Sequence, residues 1–211
     1  FSSLLKYYHE TGAHDEVVRL FSEVVNDASK NCRLKEDPLL YWNILASIDK
    51  SKKRRDHEEV LRALFENCIS IQYFGLCANI GLRLGDKELL RKLMDKETGY
   101  YFNVDEKIKV LEYLNEDYWE EVLREFKKLA SSLINEMGAR QYKKAAECVF
   151  LLRDRMGEQA WGEYVKGLYL GHSGKRNLWN EFKERGISLK MKKGEVFLDD
   201  NSHKINNKKA H

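Results

Sequence analysis

The sequence predicts an all-α fold of antiparallel helical hairpins stacked as a right-handed α-solenoid. Apolar residues recur at helical spacing along most of the 211 residues, whereas proline occurs once and glycine only 13 times. A β-sandwich or barrel normally needs more turn residues. The turns near Gly12, Asp49 and Gly85 are also spaced by about one two-helix repeat, which is roughly 34–47 residues in helical solenoids. We therefore expect about eleven helices in antiparallel pairs.

The composition predicts one helical body followed by a basic tail. Hydrophobic residues make up 43% of the chain, enough for a substantial core, and charged residues make up 34%. Residues 188–211 carry six lysines and three acidic residues, so the 31 basic and 31 acidic side chains before them balance. We expect a neutral helical-repeat domain over residues 1–187 and a basic, mostly disordered tail over residues 188–211. A short strand over residues 190–199 is an alternative for the start of the tail.

Capping residues predict where the first helices begin. Ser2 or Ser3 caps a first helix that ends in the turn at Gly12, and Asp15 caps the second helix, which completes a helical hairpin. A third helix begins at Asp37-Pro38, because aspartate is a favourable cap and proline suits the first helical position.

The middle of the chain is predicted to hold the centre of the packing. Residues 51–56 are polar and are interpreted as a turn that leads into a return helix ending at Asn67. Residues 69–84 are the most apolar stretch, with charge only at Arg83, and predict one helix buried on most sides. Gly85-Asp86 then turns the chain into a short helix.

The longest helix is predicted to begin at Asp117 and to end at Gly138. Its apolar residues follow the i, i+3, i+4, i+7 spacing closely. Three of them share one face and are predicted to be core: Trp119, Phe126 and Leu133. The helix before it, over residues 108–114, is predicted to be capped by Asp105.

Three short helices, each closed by a glycine, are predicted between Tyr142 and Gly186. Each is too short to be stable alone and must pack on its neighbours. Tyr142 and Ala145 follow Gly138 and resemble the Tyr-x-x-Ala that opens the second helix of a tetratricopeptide unit. The resemblance implies a degenerate tetratricopeptide-like repeat, although the terminal proline of that family is absent.

A second resemblance covers about the last quarter of the predicted helical domain. It rests on Tyr142, Ala146, Gly157, Trp161, Tyr164, Leu168, His172, Lys175, Arg176 and Leu178. In this order they are similar to the helical region that follows the zinc motif in SWIM zinc-finger proteins, which are thought to bind DNA or protein partners. The Cys-x-Cys and Cys-x-His zinc motif is absent from this sequence, so the resemblance implies only the helical half of such a protein.

The densest basic cluster is a first candidate for binding a partner. It consists of four consecutive residues in a predicted polar turn: Lys52, Lys53, Arg54 and Arg55. Such a cluster can anchor phosphate or an acidic partner. The alternative interpretation is a solvated interhelical turn, because acidic residues flank the cluster on both sides and partly neutralise its field.

A second candidate lies where the last helix is predicted to begin. Lys175 and Arg176 open this helix, with His172 just before them. Free backbone amides and the helix dipole favour an anion there, and Arg176 can grip a carboxylate or phosphate with two parallel hydrogen bonds. We expect an anionic partner to contact Lys175 and Arg176 more than the first cluster. The alternative is a helix connector, with His172 near a helix C-terminus.

Aromatic residues provide a third candidate. Tyr100 and Tyr101 lie in a predicted loop, where aromatic side chains must either plug a groove or face a ligand. Trp161, Tyr164 and Trp179 can be interpreted as an exposed aromatic patch, but aromatic residues at helical spacing are more often core.

The cysteine pattern predicts buried thiols rather than a zinc site. The four cysteines are far apart, without the closely spaced pairs that zinc sites need. Cys68, Cys77 and Cys148 lie among apolar residues, where a reduced thiol is expected. No signal peptide opens the chain, and no apolar run approaches the ~20 residues of a membrane span, so we expect a cytoplasmic location and no membrane partner. The start at Phe1, without methionine, suggests a piece of a longer protein.

The function predicted from the sequence is binding without catalysis. No two of the six histidines stand four residues apart, and no catalytic group, metal site or cofactor is assigned. We expect a scaffold that binds a protein or peptide on the concave face of the solenoid. Nucleic-acid association through the basic turns is the alternative, and the salt dependence of binding distinguishes the two.

Overall fold

The structure, a computed structural model of the chain, describes residues 2–13, 15–20, 23, 54–70, 72–97, 102–192 and 195–198. These residues are mostly helical, with one two-stranded sheet among them, which confirms the all-α class. The chain clusters into two compact units, Phe1–Asp117 and Tyr118–His211. Within the described ranges, no helix is both long and apolar enough to cross a membrane.

The first unit contains the first helices of the described chain. They are α1 (Ser2–Glu10), α2 (Arg54–Ser70), α3 (Phe74–Leu84), α4 (Lys87–Arg91) and α5 (Val104–Leu114). Residues 15–20 are also helical, and Gly12 takes a φ of 72° in the turn after α1, so the two predicted helices and the turn between them are confirmed. The helix predicted to begin at Asp37-Pro38 lies outside the described residues.

The break between α2 and α3 lies a few residues later than predicted. The sequence predicted one helix ending at Asn67 and the next over residues 69–84, whereas α2 continues to Ser70 and α3 begins at Phe74. The break lies at Gln72, which has a φ of 63°. The Tyr73 N–H donates to the Cys68 carbonyl at 2.9 Å across the turn. Buried residues lie a few positions away on each side, Cys68 before the break and Gly75 after it, so the apolar pattern continues through it as it would through one helix.

α3 is the centre of the first unit and packs against α2, α4 and α5. Gly81 allows the close approach of α4, because a Cβ at this position would lie 2.5 Å from Leu90 Cδ2. The buried residues of α3 cover most of its circumference: Gly75, Leu76, Cys77, Ala78, Ile80 and Gly81. The prediction of a helix buried on most sides is therefore confirmed for this part of the stretch.

Two helix starts in this unit differ from the predictions. α2 begins at Arg54, so Arg54 and Arg55 are helical and not part of a turn. α5 is capped by Asn103, which accepts from the Glu106 N–H at 3.0 Å, while the Glu106 carboxylate accepts from the Asn103 N–H at 3.2 Å. Asp105 lies in the first turn, where its charge is still favourable to the helix dipole.

The second unit contains the longest helix of the described chain. Its helices are α6 (Trp119–Glu136), α7 (Ala139–Leu151), α8 (Arg153–Met156), α9 (Glu158–His172) and α10 (Arg176–Glu184). α7 packs against α6 on one side and α10 on another. Phe126 and Leu133 of α6 are 2% and 1% exposed, as predicted, whereas Trp119 is only partly buried at the start of the helix.

Both ends of α6 are made by residues other than the predicted ones. Tyr118 precedes the helix without a side-chain cap, and the Asp117 carboxylate instead pairs with Lys87. Met137 ends the helix with a φ of 55° and is 62% exposed. Gly138 follows it, so the predicted stop is displaced by one residue.

A β-hairpin follows α10. It consists of β1 (Leu189–Lys192) and β2 (Glu195–Leu198), and the antiparallel register places Leu189 opposite Leu198 and Lys190 opposite Phe197. β2 contacts α9. The start of the predicted tail is thus an ordered hairpin, in agreement with the alternative of a strand over residues 190–199.

Candidate functional site

A cleft of about 570 Å³ lies in the second unit where α9, α10 and β1 meet. α9 and the residues after it provide Tyr169 and Ser173, and the segment after α10 provides Ile187, Ser188, Leu189 and Lys190. α10 provides the remaining lining residues: Arg176, Trp179, Asn180 and Lys183. The volume is within the roughly 300–1,000 Å³ that is usual for ligand pockets.

The amphipathic pattern of α10 directs its polar residues into this cleft. Leu178 and Phe182 are fully buried on the face that packs against α7. Arg176, Asn180 and Lys183 stand at i, i+4 and i+7, so they share a face of the helix. Because burial of the apolar face orients α10, the direction of these three side chains is set by the core of the unit.

Two aromatic rings form a fixed part of the cleft wall. The centroids of Tyr169 and Trp179 are 4.9 Å apart, and the rings are inclined at 60°. Trp179 also stands 4.9 Å from the buried ring of Phe182. Its indole Nε1–H donates to the His172 carbonyl at 2.9 Å, which fixes the ring at the end of α9. The wall is therefore apolar, partly exposed and held in place.

The charged side chains that line the cleft in the described part of the chain are all basic. Arg176, Lys183 and Lys190 line it, and none of its described lining residues is acidic. The acidic residues of α10, Glu181 and Glu184, are not among the lining residues. The cleft is thus electropositive, with Ser173 and Asn180 as additional polar groups, and favours an anionic ligand that also has apolar surface.

Lys175 has a structural contact that separates it from Arg176. Its ammonium donates to the Ile134 carbonyl at 2.7 Å and lies 5.9 Å from the ring centroid of Tyr142. Ile134 is in the last turn of α6, so Lys175 supplies a hydrogen bond and a favourable charge to that helix end. Of the two residues predicted to bind an anion together, only Arg176 lines the cleft.

His172 contributes its backbone to this region rather than a cleft-lining side chain. Its carbonyl accepts from the Lys175 N–H at 3.0 Å as well as from Trp179. The imidazole is partly exposed near the C-terminus of α9 and does not line the cleft. This arrangement corresponds to the connector interpretation of His172.

The other candidate residues are only partly covered by the structure. Lys52, Lys53, Tyr100 and Tyr101 lie outside the described residues, and for Arg54 and Arg55 only the helical backbone is described. The histidine, cysteine, aspartate and glutamate side chains that can be examined include no group of three or more placed to hold a metal ion.

The thiols of Cys77 and Cys148 and the phenol of Tyr164 have raised pKa values, which favours their protonated forms. A hydrogen bond with Cys68, together with burial, raises the pKa of Cys77. Burial raises the pKa of Cys148 to about 12 and that of Tyr164 to about 12. Cys68, Cys77 and Cys148 are buried and free, as predicted, and a protonated buried thiol is a poor nucleophile.

Lys183, Lys190 and Tyr169 are among the cleft residues that the sequence analysis did not identify. Lys183 stands seven residues after Arg176, and this helical spacing was the one signal that could have joined them. Lys190 was assigned to the predicted tail, and no residue next to Tyr169 in the sequence indicates a binding role for it. Their proximity depends on the packing of α9 against α10, which no local pattern reports.

Comparisons with protein families, with curated proteins and with solved structures find no match to this chain. A function is therefore inferred from the chain's own residues and contacts.

Proposed function

We propose that the chain is a non-enzymatic helical-repeat scaffold that binds an acidic segment of a partner protein in the cleft of its second unit. The observation that supports this role is the combination of Arg176, Lys183 and Lys190 with the fixed Tyr169–Trp179 pair. Carboxylates of a partner segment bind the cations, and its apolar side chains pack on the rings.

The connections between helices support the repeat part of the proposal. α6 and α7 are joined by two residues and pack against each other, which is the geometry of a helical hairpin. α2 and α3 are also joined by a short turn and packed together. Stacking of such hairpins into a right-handed α-solenoid is part of the proposed architecture, as is the resemblance to tetratricopeptide units.

A nucleic acid is the second candidate partner. Aromatic rings beside cations can stack on bases while the cations contact phosphates, and the resemblance to SWIM proteins implies DNA or protein partners. A protein segment is favoured because the 31 basic and 31 acidic side chains of residues 1–187 balance, whereas nucleic-acid-binding domains usually carry a net basic body or face.

The proposal is tested with a fluorescent glutamate-rich peptide and a fluorescent single-stranded oligonucleotide of equal net charge. We expect the peptide to bind the full chain, and Arg176→Glu/Lys183→Glu to abolish this binding. The matched control is Arg124→Glu/Lys143→Glu, because both residues are exposed in the same unit and do not line the cleft. Equal losses in the two double variants would reject the cleft, and preferential binding of the oligonucleotide with a steep salt dependence would favour the second candidate.

A further inference from the structure

We propose that the acidic segment binds in an extended conformation and pairs with the free edge of β1 as a third strand. This inference rests on the proposed function and specifies how the cleft recognises its ligand. Strand addition gives affinity through main-chain hydrogen bonds, and alternate side chains give specificity.

The lining of the cleft locates the edge of β1. Successive side chains of a strand point to opposite faces of the sheet. Leu189 and Lys190 are successive residues of β1, yet both line the cleft, together with Ser188 just before them. A cavity that meets both faces of one strand lies along its edge. The cleft therefore borders the backbone of β1 and not only one of its faces.

This edge has no strand partner in the part of the chain that the structure describes. β1 pairs with β2 on its other side, and the two form a two-stranded sheet. β2 contacts α9 and buries Val196 to 8% exposure, which anchors the hairpin. The backbone groups along the outer edge of β1 thus remain able to pair with an added strand.

The positions of the cations match an extended acidic segment. Arg176 and Lys183 are seven residues apart on α10, which is about 10.5 Å along the helix axis at about 1.5 Å per residue. An extended chain covers this distance in about three residues at 3.2–3.4 Å each. Side chains on one face of the added strand are two or four positions apart, which is about 7 or 13 Å, and these two spacings bracket the distance between the two cations. Lys190, on β1 itself, adds a third positive charge beside the same path.

Peptides with selective N-methylation test strand addition directly. The probe is a fluorescent peptide of about eight residues that alternates threonine and glutamate, a length suited to one strand. In a paired strand, alternate N–H groups point to the neighbouring strand and the others point away. One variant is N-methylated at every glutamate and the other at every threonine, so the two carry the same charge and are matched controls for each other.

We expect one methylated peptide to bind the full chain about tenfold or more weakly than the unmodified probe, because several backbone hydrogen bonds are lost. The other should bind within about threefold, since its methyl groups point away from β1. A ¹³C-carbonyl label in the unmodified probe should show an amide I band typical of a β-strand on binding. Amide hydrogen exchange at Leu189 or Lys190 should slow in the complex.

Three results overturn the inference. Equal binding of all three peptides would show that side chains alone hold the ligand, which rejects strand addition and leaves the proposed function standing. A failure of the unmodified probe to bind at low salt would overturn both proposals. Peptide affinity that falls with rising protein concentration, together with a dimer in sedimentation, would show that a second copy of the chain occupies the edge.

Discussion

Helices α3 and α10 are packed in opposite ways. α3 is covered by α2, α4 and α5, and its single charged residue is Arg83. α10 buries Leu178 and Phe182 against α7 and directs Arg176 and Lys183 into an open cleft. We therefore expect substitutions in α3 to change the stability of the fold, and substitutions on the polar face of α10 to change binding.

Basic residues follow the same division. In the first unit, Arg62 pairs with Asp86, and Lys92 reaches Glu66 at 2.6 Å, so that cations of one segment meet carboxylates of another. In the cleft, cations converge without an acidic residue among the described lining. Cations that are paired within the fold support it modestly, whereas Arg176 and Lys183 are exposed on a helix face beside an open cleft, where a ligand can reach them.

The largest expected effect is the loss of a core ring in the first unit. Phe65 on α2 is fully buried, so Phe65→Ala should lower the free energy of unfolding by about 3–5 kcal/mol. Urea unfolding followed by circular dichroism measures the change, with Glu59→Ala, exposed on the same helix, as the control. Weaker peptide binding by the variant while it is still folded would break the division between stability and binding.

Lys175→Met and Arg176→Met test whether the roles in stability and in binding are separated between two neighbouring residues at the start of α10. Lys175→Met leaves the Ile134 carbonyl without its charged donor, and a hydrogen bond from a charged group contributes about 1.5–3 kcal/mol. We expect a loss of this size in unfolding free energy and nearly unchanged peptide affinity. Arg176→Met should do the reverse. Similar stability losses in both variants would contradict the separate roles of these neighbours.

Gly81→Ala should destabilise the first unit by about 1–2 kcal/mol, because overpacking against the fully buried Leu90 exceeds the gain in helix propensity. Gly167→Ala is the matched control in α9, where a Cβ would meet nothing within 4 Å. There the same substitution should stabilise by about 0.5–1 kcal/mol, from helix propensity alone. Thermal unfolding of both variants gives the comparison, and shifts of the same sign would contradict the packing around α3.

Asp86→Ala should cost about 1 kcal/mol at pH 7, since the side chain caps α4 through the Leu89 N–H at 3.0 Å and pairs with Arg62. Burial opposes ionisation, but the Leu89 N–H and Arg62 outweigh it and lower the pKa of Asp86 below 3.8. The stabilisation is therefore complete above pH 3.8 and is lost as the pH falls through the lowered pKa. Unfolding curves of wild type and variant should converge as the pH falls below the lowered pKa of Asp86. If wild type and variant still differ in unfolding free energy in acid, the charge of Asp86 is not the source of the stabilisation.

The smallest expected change in stability is that of Arg176→Glu/Lys183→Glu. Both side chains are exposed on α10, so the free energy of unfolding should change by no more than about 0.5 kcal/mol. The same variant is the one expected to lose peptide binding. A large stability loss measured by urea unfolding would mean that the two cations support the fold, and the contrast with α3 would disappear.

Amphipathic spacing predicted most helices, because it depends only on neighbours one or two turns away. Phe126, Leu133 and the turn at Gly85-Asp86 are such local cases. The turn at Gln72 was predicted a few residues too early, because buried residues lie on both sides of it. Asp105 was predicted as the cap of α5, whereas Asn103 is the cap, because either residue type can begin a helix and only the backbone geometry distinguishes them.

The site was less predictable than the fold because it depends on partners far apart in sequence. The Lys175 ammonium binds a carbonyl 41 residues earlier, and no local pattern distinguishes this lysine from Arg176 beside it. Lys190 joins the cleft only because residues 189–198 fold back as a hairpin whose second strand contacts α9. The spacing in the sequence indicates which residues share a face of α10, but not which other elements line the cleft with them.

The two-residue connection between α6 and α7 has a consequence for the order of folding. These helices are neighbours in sequence, so they can pair with little loss of chain entropy, whereas α10 reaches α7 only after α8 and α9 have been spanned. During synthesis, we expect the α6–α7 hairpin to form first and α10 to dock on it later. β1 can pair with β2 only when residues up to Leu198 have left the ribosome, so the β-hairpin beside the cleft forms last. A nascent chain thus acquires its stable helices well before it can hold a partner.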